Sequence, residues 1–90
     1  MTIRTVFKSP NAVKRVQVDW TDWLKGANIT ASSFTADAGL NVQSQGRNGA
    51  VCEVFLTGGT LKSVYNVVNQ ITDSLGRVEE RTFRVSVIQT

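Results

Sequence analysis

Lys62-Ser63-Val64-Tyr65-Asn66-Val67-Val68-Asn69-Gln70-Ile71-Thr72 is the longest strand candidate in the chain. Two rows run along it at a spacing of two: Tyr65, Val67, Asn69 and Ile71 against Val64, Asn66, Val68 and Gln70. The first row carries the aromatic and the larger aliphatic side chains and is the expected core face of a strand. Asn69 then requires partners for its amide, because burying it without them costs stability. Asp73, Ser74, Leu75 and Gly76 read as a turn, and Glu79 to Val87 follows with Phe83, Val85 and Val87 inside and Arg84 and Ser86 outside. The similar lengths of the two runs predict a hairpin with Leu75-Gly76 at its tip.

The same period recurs on the N-terminal side. Ala50, Cys52, Val54 and Leu56 are expected inward, with Val51, Glu53 and Phe55 outward; Thr57-Gly58-Gly59-Thr60 then turns the chain. Before it, Leu40, Val42 and Ser44 share one face, and Gly46, Asn48 and Gly49 read as a loop or tight hairpin. Ile29 to Thr35 reads as a strand with small hydroxyl residues suited to an edge or a partly solvated face. Val16, Val18 and Trp20 alternate with Arg15, Gln17 and Asp19. Met1 to Phe7 is a short first strand with Ile3, Thr5 and Phe7 on one face, broken at Ser9-Pro10-Asn11.

Asp19-Trp20-Thr21-Asp22-Trp23-Leu24-Lys25-Gly26 has the spacing of one helical turn released by Gly26. Helix nucleation is costly, so such a turn must be held by burial of Trp20, Trp23 or Leu24. Six or seven short strands and one helical turn predict an all-β chain of two packed antiparallel sheets, with a small barrel as the other solution. Ninety residues fit a single domain, 1–90, with a modest core.

Chemistry is excluded more readily than assigned. There is no histidine, one cysteine and no Gly-Lys phosphate loop, so zinc sites, hydrolytic triads and nucleotide cradles lack their parts. Cys52 reads as a small buried hydrophobe, and a lone cysteine suits a reducing compartment or a particle assembled there. Asp19 and Asp22 have the spacing of an acid and base pair, but capping of the short turn by one and solvation of the other explains them without catalysis. Asp19, Asp22, Asp37 and Asp73 hold no calcium-loop spacing, which leaves only a bespoke site built from distant loops. A net charge of +3 without a dense Lys/Arg run predicts no specific nucleic-acid binding. No apolar run is long enough to cross a bilayer, and Met1 to Phe7 lacks signal-peptide features, so a soluble, unprocessed chain is expected. Arg77, Glu79, Glu80, Arg81 and Arg84 read as a mixed-charge edge that resists strand addition.

The residues assigned to structure are Asp19, Gly26, Gly58, Gly59, Asn69 and Gly76; those assigned to interaction are Trp20, Trp23 and Phe55. At least one tryptophan is expected to lock the connection onto the core.

Val18-Asp19-Trp20-Thr21-Asp22-Trp23-Leu24, Ile29-Thr30-Ala31-Ser32-Ser33-Phe34 and Leu56-Thr57-Gly58-Gly59-Thr60 together resemble a group of small proteins encoded among tailed-bacteriophage structural genes. The similarity continues through Tyr65 to Thr72 and Gly76 to Phe83, with Cys52 standing where the group has a small or polar residue. The resemblance implies an immunoglobulin-like sandwich and a noncatalytic structural or virion-assembly module, at a capsid surface or a head or tail junction. It implies virion proteins or copies of itself as partners, the virion or the host cytoplasm during assembly as location, and no cofactor, obligatory small molecule or membrane insertion. The alternative function is a carbohydrate or cell-surface binding module using Trp20, Trp23, Tyr65 or Phe55 as a platform. An enzyme, third, requires a cleft with converging ionisable groups.

Overall fold

The computed structural model describes residues 4–89. In chain order the elements are β1 (Arg4–Lys8), β2 (Lys14–Asp19), α1 (Thr21–Leu24), β3 (Ile29–Ala36), β4 (Leu40–Asn48), β5 (Val51–Gly58), β6 (Val64–Asp73) and β7 (Val78–Val87). One sheet has the order β1-β7-β6-β3 and the other β2-β5-β4. The two sheets pack as a β-sandwich, and the β6–β7 hairpin lies at the centre of the larger one.

The period-two rows account for the core. Tyr65, Val67, Asn69 and Ile71 are buried on β6, with Phe83, Val85 and Val87 beside them on β7. Register sets Val67 opposite Phe83 and Tyr65 opposite Val85, so both strands turn their apolar rows to one side. Facing them, Val16 and Val18 come from β2 and Cys52, Val54 and Leu56 from β5. Each large aliphatic or phenylalanine side chain so removed from water contributes about 1.5–3 kcal/mol, which is what opposes the chain's lost entropy.

Several expectations require correction. The strands are not all antiparallel: β1 runs parallel to β7, with Arg4 beside Phe83 and Lys8 beside Val87. Pro10 and Asn11 form the expected turn, and there the chain crosses to the other sheet, which leaves β1 beside the last strand.

The phase of β1 is also reversed. Thr5 and Phe7 face solvent while Val6 and Lys8 are buried; Ile3 lies outside the described residues. Lys8 can be buried because its ammonium has three protons and three acceptors: Nζ donates to the carbonyls of Ser9 at 2.8 Å, Pro10 at 3.3 Å and Gly58 at 2.6 Å. Burial lowers its pKa from the ordinary lysine value.

In β4 the register shifts between Val42 and Ser44. Gln43 is the extra residue of a β-bulge, so Ser44 moves to the outer face opposite Phe55 and Gln45 moves to the inner one opposite Val54. Gly46 and Asn48 continue the strand, and the tight turn falls at Gly49-Ala50.

β1 flanks β7 only from Phe83 to Val87, so of the charged run Arg84 lies between two strands, while among the described residues Glu79, Glu80 and Arg81 pair with β6 alone. Side chains from the opposite sheet cap two of the edge strands, β2 and β3. On one flank Arg4 Nη1 donates to the Gln17 carbonyl at 2.8 Å and Arg81 Nη1 to the Asp19 carbonyl at 2.7 Å. On the other, the Phe34 amide donates to Gln45 Oε1 at 3.0 Å and Arg47 Nη2 to the Thr30 carbonyl at 3.2 Å. Backbone groups of β2 and β3 that an intruding strand would use are thereby occupied.

Candidate protein interface

α1 is four residues long and cannot nucleate itself, so its neighbours position it. Asp19 Oδ1 accepts from the Thr21 amide at 2.9 Å and from the Thr21 hydroxyl, and these bonds hold its carboxyl below the usual carboxylate value. Lys25 adopts the left-handed conformation at the C-cap, and Gly26 follows with positive φ. The Trp20 amide donates to the Ala50 carbonyl at 2.9 Å, which ties the end of β2 to the β4–β5 turn.

Trp20 is fully buried and is not available as a surface platform. Its Nε1 donates to Asn69 Oδ1 at 2.8 Å, and Asn69 Nδ2 donates to Ser32 Oγ and the Ser33 carbonyl. All of Asn69's polar atoms therefore have partners at the centre of the core. Trp23 meets Trp20 edge-on, with centroids 5.6 Å apart and planes 77° apart. The guanidinium of Arg81 lies 4.2 Å from the Trp20 ring centre and that of Arg77 lies 4.6 Å from that of Trp23. Trp23 remains half-buried beneath that cover.

Arg77 is itself fixed by Asp73, a buried carboxylate on β6. Burial pushes Asp73 up, but the Arg77 amide, the Arg77 guanidinium at 2.6 Å and the Leu75 amide together hold its carboxyl below the usual value. This is a structural role. Among the described residues, no three Cys, Asp or Glu side chains gather where a metal ion could be held.

Phe55 is half-buried on the outer face of β5, between Arg15 of β2 and Ser44 of β4. Beside it, Arg15 and Gln17 both bond Glu53 Oε2, Arg15 Nε at 2.8 Å and Gln17 Nε2 at 3.2 Å. The Arg15 bond is the main reason the Glu53 carboxyl is lowered. Cys52 is fully buried and accepts a hydrogen bond from Ser32 Oγ.

The larger apolar exposure is one the sequence reading did not find. Phe7 is 56% exposed and Val64 58%. Register places both opposite Ser86, so they flank it in one row across β1, β7 and β6 on the outer face of the larger sheet. The next row is Thr5, Arg84 and Asn66. An exposed aromatic, an aliphatic neighbour and an unburied guanidinium form the composition from which protein-interface anchors are drawn. Arg4-Thr5-Val6-Phe7-Lys8 offers one large apolar side chain to each face, so alternation alone does not choose between them.

Among the described residues, no helix is long and apolar enough to cross a membrane. No curated protein matches the chain. Residues 8–86 match the family described as Podophage GP4 fiber-tail adaptor protein gp77. That span takes in all of β2 to β6, α1 and nearly all of β7, and the chain belongs to this podophage adaptor family.

Proposed function

We propose that this chain is a noncatalytic adaptor of a podophage virion, a single sandwich domain that joins a fiber component to the tail by surface contact. Membership of the fiber-tail adaptor family supports the phage structural role. The observation that carries the contact surface is the Phe7–Ser86–Val64 row, whose two apolar members are more than half exposed on the outer face of the larger sheet. Trp23 and Phe55, both half-buried, supply secondary contacts at one end and on the opposite sheet. The partners are the virion proteins on either side of the junction.

The immunoglobulin-like reading of the sandwich is supported by strand order. If β2 to β7 are taken as strands B to G, one sheet groups B, E and D and the other C, F and G, as in immunoglobulin domains. The carbohydrate-binding alternative finds less support, because Trp20 and Tyr65 are buried and the two tryptophan planes stand 77° apart instead of side by side.

Quantitative mass spectrometry of purified particles tests the proposal. A fixed copy ratio to the tail and fiber proteins is expected, whereas absence from mature particles would overturn it.

A further inference from the structure

Beside the capped edge of β2, between it and β1–β7, a groove of about 340 Å³ opens on the flank of the sandwich. Its floor includes the buried side chains of Val18 and Phe83, and Arg4, Arg81, Gln17 and Asp19 lie around it. Among the described residues, the ion pairs are Arg15–Glu53 and Arg77–Asp73, so neither Arg4 nor Arg81 makes a direct ion pair there, although the charge of Arg81 reaches Asp19. Each is oriented by one bond to a β2 carbonyl, from a guanidinium that carries five N–H donors. Arg81 is held further by its stacking on Trp20. Asp19 is the one carboxylate on the groove, and its Oδ1 is committed to Thr21. Two oriented cations thus stand over an apolar floor against one carboxylate.

We propose that this groove receives an acidic extended segment of a protein partner, whose carboxylates take the free N–H groups of Arg4 and Arg81 while its apolar side chains cover Val18 and Phe83. The Gln17 and Asp19 carbonyls are already held by the arginines, so the segment binds through side chains and does not add to β2 as a strand. A nucleic acid fits less well, since two cations on an apolar floor are few for a phosphate backbone and the groove has no exposed ring on which bases stack. That the partner is a virion protein rests on the adaptor reading; the chemistry of the groove does not.

The test is fluorescence polarisation of the full chain with a labelled eight-residue peptide alternating glutamate and valine. A glutamine-valine peptide of the same length is the control. Saturable binding of the glutamate peptide alone is expected, weakened roughly tenfold by Arg4→Gln and by Arg81→Gln and weakened further by added salt. Arg81→Gln also uncovers Trp20 and can disturb the fold, so the exposed Arg4 is the deciding variant. Equal binding of both peptides, no effect of Arg4→Gln, or stronger binding of an eight-residue oligothymidylate would each overturn the inference. Loss of peptide binding in a chain still present in particles removes the groove and leaves the adaptor reading. Absence from particles with binding intact removes the adaptor reading alone.

Discussion

Trp20 Nε1 donates to Asn69 Oδ1 at 2.8 Å, and neither residue has any exposed surface. The bond joins the residue after β2 to the middle of β6, so it ties one sheet to the other through a buried polar pair. In a low-dielectric interior an indole N–H left alone costs more than the bond gains when made. Asn69→Leu is therefore expected to lower stability by about 2–4 kcal/mol, although leucine is apolar and of similar size. In a Trp20→Phe background the same change is expected to cost measurably less. Urea unfolding followed by far-ultraviolet circular dichroism gives the four midpoints of that cycle.

Asp73 sets an acid limit. Its folded pKa is lowered, so across the interval between its folded and unfolded values the unfolded chain binds more protons. Its contribution is fully present above the unfolded value near pH 4 and is lost as pH falls through the folded one. The urea midpoint is expected to fall steeply below about pH 4. Asp73→Asn should be less stable at neutral pH and show a shallower acid slope, with Asp19 and Glu53, also lowered, supplying what remains.

Gly59 has φ +93°, and a Cβ there would lie 2.7 Å from Val87 Cγ2, on a side chain fixed in the core. Gly26 has the same φ but nothing within 4 Å. Gly26→Ala is expected to cost about 1 kcal/mol for backbone strain alone. Gly59→Ala should cost about 2–4 kcal/mol, the excess measuring the clash. Thermal or urea unfolding of the pair separates the two effects.

Phe7→Asp places a charge on the outer sheet face without touching the core. Folding stability is expected to stay within about 0.5 kcal/mol of the parent. Incorporation into particles, read by mass spectrometry after complementation, is expected to fall at least tenfold, because a central aromatic carries much of an interface's energy. Full incorporation of the variant would remove Phe7 from the contact surface.

The candidate surface was legible only in part. Burial of one tryptophan followed from the cost of holding a four-residue helix, and the half-buried Phe55 followed from strict alternation in β5. Phe7 was not legible, because its strand alternates equally well in either phase. The convergence of Arg4 and Arg81 was not legible either: they lie 77 positions apart in sequence and meet only because β1 docks beside β7.

What the sequence determined by itself was the set of faces on β2, β5, β6 and β7. In β5 and β7 every second residue is apolar over three positions, in β2 over two, and in β6 the row of Tyr65, Val67 and Ile71 is interrupted only by Asn69, so one phase buries the most apolar surface. Tertiary structure decided the rest. The phase of β1 depends on three carbonyls, from Ser9, Pro10 and distant Gly58, that assemble around Lys8 only in the folded chain. The faces of β4 beyond Val42 depend on a bulge set by pairing with β5. A buried lysine and an extra residue are both costly until the fold supplies their compensation, and that compensation comes from residues local patterns do not connect.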